Sequence, residues 1–150
     1  MTLVEVQRYA RQILVRDVGR GGQEALLAAT VPAQGSGQAL DAAVELLEAA
    51  GVRVARAEAS APAELAGRLL GPGAYVDRRA ACPLCAAAFF AAQPLADQGE
   101  DFAVAFGLGA LIASEVLLSI LDAARPPLAM TLVPSARVVN PVRKDCTCRS

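Results

Sequence analysis

The chain holds four cysteines and no histidine. The cysteines form two short clips, Cys82-Pro83-Leu84-Cys85 and Cys146-Thr147-Cys148. Thiolate is a soft ligand, and a structural zinc takes four such donors in a tetrahedron. Two two-thiolate clips far apart in sequence are the pattern that folding closes around one ion. Cys82, Cys85, Cys146 and Cys148 are therefore the candidate zinc ligands, and they use every thiol in the chain. Two other readings stand beside this one: a disulfide or redox pair, and thiols with no shared role. The first twelve residues are mixed and charged, without the apolar core of a signal peptide, so a cytoplasmic protein is expected. In a reducing compartment, paired cysteines favour metal over disulfide.

Composition excludes several classes. Without histidine there is no Ser-His-Asp triad and no imidazole metal ligand. The 14 basic and 15 acidic residues leave a formal charge of −1 and no basic patch, so nucleic-acid binding is not expected. Residues Phe102 to Leu121 are apolar apart from Ser114, Glu115 and Ser119, a length that spans a bilayer. Glu115 inside the run is costly in lipid, and neither a second run nor a basic flank accompanies it. A buried core or interface helix is expected, and no membrane partner.

The elements that must position the cysteines follow from periodicity. A single domain over 1–150 is expected, α/β in class: a reduced Rossmann-like sheet with flanking helices, a C-terminal β-hairpin and a structural zinc site. Residues 1–29 read as N-terminal helices, 30–80 as a reduced nucleotide-fold remnant, and 81–150 as the clips, the long helix and the hairpin. Within these, a helix is predicted over Val4–Val15 with Val6, Tyr9, Ala10, Ile13 and Leu14 on one side. A turn follows over Arg16–Gly22, then a short helix over Gln23–Ala29. Val31 opens a strand that Pro32 marks as an edge or truncated one. Gln34-Gly35-Ser36-Gly37 is a turn, and Gln38–Ala50 an amphipathic helix capped by Gly51. Val52–Ala57 alternates as a half-exposed strand. Pro62–Leu70 reads as a helix and Ala74–Asp77 as a strand. The apolar helix is predicted over Phe102–Ala124, stopped by Arg125-Pro126-Pro127. Leu128–Val133 and Ala136–Val142 read as a hairpin about Pro134-Ser135.

The order of these pieces resembles a known family. Arg8-Tyr9-Ala10-Arg11-Gln12-Ile13-Leu14, then Val18-Gly19, then Gly22-Gln23-Glu24-Ala25-Leu26-Leu27 is similar to the opening of the ThiF/MoeB/HesA proteins, bacterial relatives of ubiquitin-activating enzymes. Gly109-Ala110-Leu111-Ile112-Ala113-Ser114-Glu115-Val116-Leu117 resembles the family's long apolar helix, and a hairpin and a terminal second clip follow in the family's order. The resemblance covers both ends of the chain well and its middle badly. It implies adenylation, with Mg-ATP, of the C-terminal glycine of a ubiquitin-like sulfur carrier, in a homodimer where Arg11 reaches the partner subunit's ATP.

The departures redirect that expectation. Gly35 and Gly37 match the first two glycines of the family's phosphate loop, but Gln38 stands at the third and Leu40 at a further one. The same G-x-G is also an ordinary turn before a helix. Only 47 positions separate Gly35 from Cys82, and the family's arginine segment and magnesium motif are missing from that interval. Glu58 is a candidate ribose carboxylate or a solvated surface residue, and Asp77 a candidate remnant of the metal aspartate. Lys144, beside the terminal clip, is the sole lysine, so no active-site lysine has a counterpart. Phosphoryl chemistry needs a metal and several placed cations. The expected function is thus a non-adenylating, zinc-stapled dimeric binding or scaffold partner of a sulfur carrier or a full-length paralogue. The alternative is a minimal ATP-dependent adenylyltransferase using Gly35, Gly37, Arg11 and Asp77. A third reading is a thiol redox protein using Cys146 and Cys148.

Overall fold

A computed structural model describes residues 1–57, 69–70, 74–76, 102–122, 129–131 and 137–139. Thr2 caps the first helix, α1 (Leu3–Arg8). The Thr2 hydroxyl oxygen accepts from the Glu5 amide at 3.3 Å, and the Thr2 amide donates to the Glu5 carboxylate at 2.6 Å. This reciprocal box satisfies two amides that a helix start leaves open. Tyr9 then interrupts the expected single helix, and α2 (Ala10–Ile13) continues it. The helical bonds still run through the junction, with the Tyr9 amide donating to Glu5 O at 2.9 Å and the Ile13 amide to Tyr9 O at 3.0 Å. Of the predicted apolar stripe, Tyr9 alone is buried; Leu14 is 85% exposed. One inward ring anchors the arm, and the bend at Tyr9 serves that contact.

The predicted turn over Arg16–Gly22 is shorter than expected. Helix α3 (Gly19–Ala28) already starts at Gly19, whose φ of +59° suits glycine. Glycines are poor helix formers by about 1 kcal/mol each. Burial of Gln23 and Leu26 on the inner face offsets that cost.

A parallel strand–helix–strand unit follows: β1 (Thr30–Gln34), α4 (Gln38–Ala50) and β2 (Arg53–Ala57). The strands pair in register from Thr30↔Arg53 to Gln34↔Ala57. Helix α4 has the predicted bounds, and Gly51 closes it in the left-handed conformation at φ +99°. Its face of Leu40, Ala43, Val44 and Leu47 is buried, also as predicted.

Pro32 misled the sequence reading, because β1 is interior. The sheet runs β2-β1-β3-β4-β5-β6, with β3 (Leu69–Leu70), β4 (Ala74–Val76), β5 (Ala129–Thr131) and β6 (Arg137–Val139). The Arg53 amide donates to Ala29 O, so Ala29, Val31 and Ala33 turn their backbone groups towards β2. Pro32 therefore turns its donorless nitrogen towards β3, and β3 begins only opposite Ala33. The ladder starts after the proline, so no bond is lost. The strand at Leu69–Leu70 also replaces the end of the helix predicted over Pro62–Leu70; the rest of that prediction lies outside the described residues.

The sheet is parallel from β2 to β3 and antiparallel from β3 to β6. The predicted C-terminal hairpin is present as β5 and β6, paired from Ala129↔Val139 to Thr131↔Arg137. Helix α5 (Phe102–Leu121) ends before the predicted Ala124, with the Asp122 amide donating to Leu118 O. Ala105, Gly109, Ile112, Ala113 and Val116 form its buried stripe. It lies against α4 so closely that a Cβ on Gly109 would meet Ala39 O at 2.6 Å and the Ala43 nitrogen at 2.9 Å. Leu26, Leu40, Leu47, Val52, Ile112 and Val116 share one core. Each such side chain contributes roughly 1.5–3 kcal/mol by leaving water. The described part is thus a mixed α/β fold, largely helical, with a small sheet that is parallel at its β2-β1-β3 side.

Candidate functional site

The first candidate is the turn between β1 and α4. β1 ends at Gln34, and the chain enters α4 through Gly35, Ser36 and Gly37. Gly35 has φ +90° and Gly37 φ +143°. Both are backbone shapes that L side chains rarely adopt, so the two glycines are required by the turn itself. The turn sits at the carboxyl end of β1, which has β2 on one side and β3 on the other. In open parallel sheets that is where the crevice for ligands lies. Gly37 is the N-cap of α4, and no side chain caps it. Backbone amides at such a helix start suit an anion.

The first turn of α4 holds two features that act against a nucleotide. Leu40, at a place where the resembled family has glycine, is 1% exposed and part of the core. The close helix approach here is instead made by Gly109 of α5. Asp41 puts a carboxylate in the same turn, and its Oδ1 accepts from Arg56 Nη2 on β2 at 2.6 Å. That carboxylate complements the positive end of the helix dipole and engages the Arg56 guanidinium, so the exposed pair places no net cation beside the helix start.

The second candidate is the cysteine set. Cys82, Cys85, Cys146 and Cys148 lie outside the described residues, as do Glu58, Asp77 and Lys144. Among the described residues there is no group of three or more His, Cys, Asp or Glu side chains that could hold a metal. What the described strands fix is where the chain ends β4 and β6, the strands that precede the two clips in sequence. Val76 pairs with Ala129, and Ala129 pairs with Val139, so the last residues of β4 and β6 share one row across the sheet.

Arg11 is exposed on α2. Its neighbour Arg8 lies over the Tyr9 ring, 5.4 Å from the centroid, and the Glu5 carboxylate is taken by the Thr2 amide. Among the described residues no ion pair joins Arg8 or Arg11 to Glu5 or Asp17.

Helix α5 carries the third candidate surface. Opposite its buried stripe, Val104, Gly107, Leu111, Ser114 and Leu118 follow one another at alternating steps of three and four residues. Val104 is 54% exposed, Leu111 51% and Leu118 43%, and Gly107 and Ser114 are exposed as well. No charge interrupts that line. By length and composition this is the one described helix apolar enough to cross a membrane, while its other face is packed on α4.

Sequence reasoning missed Gln23. It is fully buried, and its Nε2 donates to Ala50 O at 2.9 Å, bolting α3 to the end of α4. Its position inside the Gly22-Gln23-Glu24 motif was the available signal. The Asp41–Arg56 pair was equally unforeseen, since it needs the register of β2 beside α4 to become visible. No protein-family model, no curated protein and no solved structure matches this chain.

Proposed function

We propose that this protein is a zinc-stapled, non-adenylating binding or scaffold partner, built on a shortened frame like that of the ThiF/MoeB/HesA proteins. The observation that carries this reading is the row Val76–Ala129–Val139. β4 and β6 run parallel with β5 between them, so the chain leaves both strands at the same end of the sheet. Two inter-strand spacings separate the exits by about 10 Å. Cys82 follows Val76 by six residues, and Cys146 follows Val139 by seven. Each interval spans up to roughly 20 Å when extended, a length sufficient for the two clips to share one ion. The donor set, four thiolates without histidine, fits zinc in its tetrahedral form. Bound zinc supplies folding free energy and Lewis acidity is not needed for this role.

Loss of adenylation is supported by Leu40 and Asp41 in the first turn of α4 and by the missing lysine and magnesium segments. The uncharged outer line of α5 supports a homodimer. It alternates large and small about Leu111, so a two-fold axis there sets Val104 against Leu118 of the partner subunit and Gly107 against Ser114 of the partner subunit. The bound partner in this reading is a ubiquitin-like sulfur carrier or a full-length paralogue, and the compartment is the cytoplasm.

Calorimetric titration with Mg-ATP, alone and with a sulfur-carrier protein, tests the catalytic half of the proposal. No saturable heat and no ATP–pyrophosphate exchange are expected. Robust exchange overturns it and favours the second reading, a minimal adenylyltransferase using Gly35, Gly37, Arg11 and Asp77. The positive φ values of Gly35 and Gly37 at the carboxyl end of β1 are the observation on that side.

A further inference from the structure

We draw no further inference here: the strongest candidate, the uncharged outward line of α5 through Val104, Gly107, Leu111, Ser114 and Leu118, already belongs to the dimer proposed above, and nothing in the structure shows what else covers it.

Discussion

Gln23 is the residue on which the junction of α3 and α4 depends. Its amide is fully buried and satisfies Ala50 O, a carbonyl at a helix end that would otherwise lack an intrahelical donor. Gln23→Met keeps the volume but removes both the donor to Ala50 O and the buried Oε1 that has no hydrogen-bond partner, so the loss falls at the low end of the about 1–3 kcal/mol that a buried unpaired carbonyl costs. Urea unfolding is expected to show that loss; a change under about 0.5 kcal/mol would contradict the bolt. At the chain's start, the Glu5 carboxyl is held below its ordinary 4.5, first by the Thr2 amide and then by the Thr2 side chain. Because the folded value is the lower one, the box stabilises α1 above the unfolded value and the benefit is lost as pH falls through the folded one. In Thr2→Ala, carboxyl titration followed by NMR is expected to move up towards 4.5. An unmoved titration would mean that the hydroxyl contributes nothing.

At the scale of elements, the contact of α5 with α4 rests on a glycine. A methyl group at Gly109 meets backbone atoms, which cannot turn aside as a side-chain tip can. Gly109→Ala is therefore expected to destabilise by about 1–3 kcal/mol, although alanine is the better helix former. Gly21→Ala is the control, since nothing lies within 4 Å of a Cβ there. It should gain about 0.5–1 kcal/mol. If both variants gain stability, the helices are not as close as described. The opposite side of α5 answers to a different measurement. Sedimentation of the wild type is expected at twice the 15.4 kDa chain mass, and of Leu111→Lys at the single mass. A monomeric wild type would remove the dimer. Sequence alone made α4 legible, because its apolar period, its glycine cap and its burial agree. It misread β1, because a proline's meaning depends on where the neighbouring strand begins, and β3 is distant in sequence. The outer line of α5 was hidden for a related reason. A helix apolar on all sides does not announce which face meets its own domain.

At the scale of the molecule, the fold joins a parallel half to an antiparallel half, and the cysteine clips follow the antiparallel half. The class and the hairpin were legible from element order. The candidate ligands were legible from spacing. Their common exit row was not, since it depends on the register of three strands. In the proposed reading zinc binding is linked to folding, so stability would depend on the metal. A strong chelator is expected to lower the unfolding temperature, and added zinc to restore it. Elemental analysis of the reduced, purified protein is the most direct test of the account, made alongside Cys82→Ser and Cys146→Ser. One zinc per chain, lost in either variant, is the predicted result. A wild type without bound metal, or serine variants that keep a full equivalent, would contradict it.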